Sequence, residues 1–203
     1  MSTNNLAPYP GSHYEGIPLH PDITYAAAAL EELHRLLSDC LSQAPRYLVL
    51  AFRPIAWCDD PKEHQDFALP YLLEQLRAGA APGAIIRYAW SRERLNGQDY
   101  EYRIALLIPY ASLSLSHRSN MLTELHYVLE TAWAQVFGIT IQWRPYTHIQ
   151  PLPAPENEHF IGTELLASNR HWVFRWLSEN LAIYNTKAQD GYPFGTDLCG
   201  PRP

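Results

Sequence analysis

The sequence predicts an α+β fold: a split β-α-β-β-α-β antiparallel sheet with an extra helix at each end. Three observations carry that expectation. Apolar residues recur at spacings of three and four in several long stretches. Between them lie short runs rich in β-branched and aromatic residues. One pair of those runs is separated by Asn96-Gly97, a strong signal for a hairpin turn.

Residues 1–21 carry Pro8, Pro10, Pro18 and Pro21 with Gly11 and Gly16, and are expected to form an irregular arm. Residues 22–203 are expected to form one domain. Asp22 is a candidate N-cap for the first helix, whose Leu30, Leu33, Leu37 and Leu41 share a face and which Pro45 stops. RYLVLAFRP then reads as a central strand ending at Pro54. A second helix is expected over 63–78, begun or kinked at Pro70. GAIIRYAWSRE and YEYRIALLIPY are the two hairpin strands. A third helix over 119–137 presents Leu122, Leu125, Leu129 and Trp133, Gly138 closes it, and ITIQWRPY supplies the fourth strand. The proline-rich QPLPAPENE follows, then a last helix near 171–184 and a Gly/Pro-rich tail, DGYPFGTDLCGPRP.

With 203 residues, of which 47% are hydrophobic and 18% charged, the composition is that of a globular domain rather than a disordered chain. No window approaches the roughly 20 apolar residues of a membrane span, and the N-terminus lacks the basic and apolar regions of a signal peptide. The expected location is the cytoplasm, with no membrane partner. Cys40, Cys58 and Cys199 are odd in number and far apart, as in a reducing compartment. The formal net charge is −6, which opposes non-specific binding to duplex DNA, where a basic face must displace counterions.

Four segments, in order and across most of the chain, resemble the YagK/YfjJ family of prophage and filamentous-phage replication-type proteins. They are APRYLVLAFRP, YEYRIALLIP, LETAWAQVFG and NTKAQDGYPFG. The resemblance implies a ferredoxin- or RRM-like sheet of the kind found in rolling-circle replication initiators, which are metal-dependent tyrosine endonucleases. That chemistry needs two histidines one residue apart on a strand, so that both point to one sheet face and hold a divalent ion. At the matching places this chain has Glu101 and Arg103, which read as a salt bridge because arginine offers no lone pair to a cation. The family's tyrosine and lysine fall on Asn180 and Ile183, and Tyr184 is the one remaining candidate nucleophile. The resemblance therefore implies a relative without catalytic residues.

No other constellation replaces them. The nine histidines include no HxH, no HExxH and no short Cys/His spacing, so neither metal nor cofactor is expected. Ser116 and His117 are adjacent, which on a strand sends them to opposite faces. Candidate binding residues are the hairpin arginines Arg87, Arg92, Arg94 and Arg103 with Trp90, and Trp172, Arg175 and Trp176 on the last helix. The aromatics among them suit either packing or an interface, where Trp, Tyr and Arg are enriched. The expected activity is macromolecular binding, first to a protein of host replication or defence machinery such as a nucleic-acid-handling or CRISPR-type complex. The alternative is a DNA-binding initiator or regulator, with or without nickase activity through Tyr184.

Overall fold

One antiparallel sheet organises the chain. The computed structural model describes residues 7–57, 85–94, 99–112, 127, 130–132, 134–135, 142–143, 161–184 and 194–197. The expected helix over 63–78, the Asn96-Gly97 turn and the QPLPAPENE loop lie outside them. The strands are β1 (Pro8–Tyr9), β2 (His13–Tyr14), β3 (Ile17–Pro18), β4 (Tyr25–Ala26), β5 (Arg46–Phe52), β6 (Pro54–Trp57), β7 (Arg87–Arg94), β8 (Asp99–Pro109), β9 (Gln142–Trp143), β10 (Ile161–Leu166) and β11 (Phe194–Thr196). Two helices are described in full, α1 (Ala27–Gln43) and α2 (Arg170–Leu181). Residues 127, 130–132, 134 and 135 are also helical. The architecture is mixed helix and strand, as the sequence predicts.

β8 lies in the middle of the sheet. Along one edge it pairs with β7, from Arg87 opposite Leu107 to Arg94 opposite Tyr100. Along the other it pairs with β5 and β6. From Phe52 to Ile55 the chain advances three residues, as does β8 from Glu101 to Ile104, so β5 and β6 form one course that keeps its register across Arg53. The strand thus runs on past Pro54, where the sequence predicts its end. β10 and β9 both pair with this course, with Ile161 opposite Ala51 and Trp143 opposite Pro54. The fourth row is therefore made of two segments separated in sequence by residues 144–160. β11 pairs with β7 and adds a fifth row. Neither β10 nor β11 is marked by a clear alternating pattern in the sequence.

Alternation divides the sheet into two faces. On one, Tyr47, Val49, Ala51, Ala89, Ala105, Leu107 and Leu165 join α1 and α2 in a single buried cluster. On the other, Leu50, Phe52, Ile104 and Leu106 are also buried. α1 supplies Leu30, Leu33, Leu36 and Leu37, none with any exposure, each worth about 1.5–3 kcal/mol relative to an exposed side chain.

The first helix starts later than Asp22 because residues 24–26 are engaged in strand pairing. Tyr25 sits opposite Tyr9, the Tyr184 N–H donates to the Thr24 carbonyl, and the Ala26 N–H donates to the Ala182 carbonyl. The Ala27 N–H, at the open helix start, is taken by the carbonyl of Ala7 (3.1 Å). Residues 7–21, expected to be irregular, carry these short pairings and bury Ile17 and Leu19. Pro and Gly there punctuate tight turns: Glu15 and Gly16 both have positive φ, 49° and 78°, as a two-residue hairpin demands.

Another glycine with a geometric requirement is Gly195, which lies against the Trp90 indole. A methyl there would sit 2.6 Å from Trp90 Nε1, and overpacking of this kind costs about 1–3 kcal/mol. Urea denaturation of Gly195→Ala is expected to show that loss, and the loss should shrink when Trp90 is replaced by leucine in the same chain.

Candidate functional site

Glu101 and Arg103 occupy successive same-face positions on β8, opposite Glu93 and Ser91 of β7. On the other side, Arg53 falls beside Arg103 in the register of the β5–β6 course. α2 passes over this face and brings Asn180. Pairing and alternation thus place Arg53, Glu93, Glu101, Arg103 and Asn180 together, although they are scattered over nearly 130 residues of chain.

Glu101 is 1% exposed and is the hub. Arg53 reaches its Oε1 with Nε at 2.9 Å and Nη2 at 2.5 Å, and Arg103 Nε donates to the same oxygen at 2.9 Å. Arg103 continues outward, with Nη2 on Glu93 Oε2 at 2.5 Å and Nη1 directed at the Asn180 carbonyl at 3.4 Å. Among the described residues, two cations and two carboxylates meet here, and such pairing is the condition under which buried charge is tolerated. Burial alone would push the Glu101 carboxyl up, but hydrogen bonds and charge from Arg103 and Arg53 outweigh it and hold the group below its ordinary value.

The salt bridge expected between Glu101 and Arg103 is thus formed. It is also larger than the sequence suggests, because Arg53 and Glu93 join it without any motif marking them. Arg53 stands out only as a charge between two apolar strand runs. Guanidinium groups cannot ligate a cation, and Glu101 is already bonded by both arginines. Among the described residues, no three His, Cys, Asp or Glu side chains converge as a metal site would require.

The remaining candidate residues fall into separate places. Arg87 shares the face of Arg103 but lies opposite Leu107, four residues along β8, or roughly 13 Å. There it bridges Asp39 of α1 and Asp197, the latter at 3.0 Å. Beside it, burial pushes the Cys40 thiol up to about 12, against the pull of Arg87. Arg92 is 8% exposed and belongs to the opposite face, and Arg94 ends β7 opposite Tyr100. The hairpin arginines are thereby divided between two faces. Trp90 lies on the face of Arg92, its ring 6.4 Å from that of Tyr102.

On α2 the Trp172 and Trp176 rings stack nearly parallel, 6.1 Å apart. Trp172 is 46% exposed and Trp176 only 5%, so one anchors the helix while the other faces solvent. Arg175 is paired with Glu179 at 2.8 Å. Tyr184 follows α2; its ring packs against the core cluster and its N–H is held by Thr24. Among the described residues, no helix is long and apolar enough to cross a membrane. The chain matches no protein-family model, no curated protein and no solved structure with which it was compared.

Removing the hub charge takes a buried carboxylate away from both Arg53 and Arg103. Glu101→Gln is expected to lose about 3–5 kcal/mol of unfolding free energy in urea at neutral pH. Because the folded Glu101 carboxyl titrates lower than the unfolded one, its contribution is complete above the unfolded value of about 4.3. It fades as pH falls through the folded value. The gap between wild type and Glu101→Gln should therefore close at acid pH.

Proposed function

We propose that this chain is a non-catalytic relative of the rolling-circle initiators, of the YagK/YfjJ kind carried by mobile elements. In this reading it acts by binding a protein of host replication or defence machinery, such as a nucleic-acid-handling or CRISPR-type complex. The observation that carries the proposal is the convergence of Glu101, Arg103 and Asn180. In an initiator, the metal-binding pair and the attacking tyrosine must lie side by side. The residues at the matching positions here are neighbours, with Arg103 Nη1 directed at the Asn180 carbonyl. In place of a metal pair, the strand carries a lattice of ion pairs.

Strand order supports the same descent. Numbered in chain order, the β5–β6 course, β7, β8 and the β9–β10 row stand across the sheet as 4-1-3-2, all antiparallel. A split β-α-β-β-α-β unit has that order. In this reading α1 and α2 cover the face on which the initiator reaction would occur, which leaves binding as the activity of the scaffold.

A protein partner is favoured over nucleic acid on charge. The net charge of −6 repels phosphate. Two of the four hairpin arginines that would line a groove, Arg87 and Arg103, are bonded to carboxylates and are 16% and 14% exposed. An acidic protein can instead occupy an arginine-lined groove on a partner by charge complementarity.

Incubation with single-stranded origin DNA and Mg²⁺ or Mn²⁺ should yield no adduct that survives denaturing gels. Tyr184→Phe should behave as wild type, and a mobility shift at physiological salt should be absent. Affinity purification from the native host should return one stoichiometric protein. A covalent adduct lost in Tyr184→Phe would overturn the proposal, as would a salt-sensitive DNA complex with no protein partner.

A further inference from the structure

The β2–β3 hairpin is seated on the two helices through four rings. Tyr14 stacks on Phe174 of α2 with centroids 5.5 Å apart, and meets His34 of α1 edge-on at 5.7 Å. His34 is in turn edge-on to Phe174 at 5.7 Å, and Tyr9 closes the group 5.5 Å from Tyr14. Phe174 has no exposure, and Ile17, the residue paired with Tyr14, is 3% exposed. The hairpin is thus part of the cover over the α1–α2 seam, and His34 is one wall of its seat.

His34 is also where a cation meets the seat. Arg170 Nη2 lies 2.8 Å from His34 Nε2 and 2.6 Å from Ser38 Oγ. The Ser38 hydroxyl donates onward to the His34 carbonyl at 2.7 Å. Arginine carries only donors and stays charged in this range. Nε2 must therefore accept, so the imidazole is neutral with its hydrogen on Nδ1. A proton taken from solvent onto Nε2 would remove that acceptor and set two cations within hydrogen-bonding distance.

We propose that His34 is a pH-operated latch: neutral, it holds Arg170 and walls the seat of Tyr14, and once protonated it releases the β2–β3 hairpin from α1 and α2. Every group facing it bears on the sign. Burial opposes the proton, as do Arg170 and His171 from α2, while Glu15 at the hairpin turn favours it. The balance lies below the ordinary imidazole value. The Tyr14 hydroxyl is pushed up by burial, Glu31 and Glu15, and stays neutral throughout. Seating is thus complete above about pH 6.5, and is lost as pH falls through the lowered value. His13 and His20, on the hairpin and just after it, and His171 of α2 are the other imidazoles of this region and must be separated by experiment.

The test is an NMR titration of the full chain from pH 7.5 to 5. It follows the His34 ring proton together with the amides of Tyr14 and Ile17. The amides should leave their docked positions with the same midpoint as His34, below pH 6.5. His34→Gln, which can still accept from Arg170 but cannot titrate, should keep them docked to pH 5. His13→Gln, His20→Gln and His171→Gln should each retain the transition, and Arg170→Gln should raise the His34 midpoint. Hairpin amides that stay fixed while His34 titrates would overturn the latch. So would a transition that survives His34→Gln, or one abolished by His13→Gln, His20→Gln or His171→Gln.

Discussion

The eleven residues from Asp99 to Pro109 are hydrogen-bonded along both edges, to β7 on one side and to the β5–β6 course on the other. Every side chain of β8 must therefore go to one of two covered faces, and the spacing of its neighbours is set by backbone pairing. Ile104 and Leu106 go one way, Ala105 and Leu107 the other, and both pairs are buried. The same alternation sends Glu101 and Arg103 inward beneath α2, where charge is tolerated only if compensated.

Compensation comes from both flanks of the strand. Arg53 arrives from the one position where the β5–β6 course breaks, and Glu93 from the hairpin partner. A second arrangement of the same kind stands at the other end of the face. There Arg87 ties α1, through Asp39, to the segment after β11, through Asp197. Arg87 and Arg103 each bridge two carboxylates, so the two lattices tie strands and helices together in register. The proposed loss of initiator chemistry is consistent with this. A metal pair needs free lone pairs at positions 101 and 103, whereas this chain has a bonded carboxylate and a guanidinium there.

The periphery depends on the same face. α1 and α2 pack side by side over it, and the seam between them is covered by the N-terminal residues 7–26 through Tyr14, Ile17 and Tyr25. Among the interactions that hold these residues are the short β1–β4 pairing, the bridge from Tyr25 to Ile183, and the aromatic seat around His34. The first two are backbone pairings and insensitive to mild acid. The third includes an imidazole held below its ordinary value, and in the proposed latch that makes the hairpin the part of the cover with a chemical control.

Local pattern in the sequence was enough for the α1 face, where Leu30, Leu33 and Leu37 recur on one side, and for the β7–β8 hairpin, whose alternating strands flank Asn96-Gly97. It was enough, too, for the Glu101–Arg103 pair, because residues two apart on a strand share a face. What depends on residues far apart in the chain was decided only by the tertiary structure. The continuation of β5 past Pro54, the joining of β9 and β10 into one row, and the addition of β11 all require partners elsewhere. The same holds for the arrival of Arg53 and Asn180 at Glu101 and Arg103, and for the division of the hairpin arginines between salt bridges and the opposite face. The physical reason is that a backbone hydrogen bond or an ion pair is indifferent to sequence distance, whereas periodicity records only what lies within a few residues.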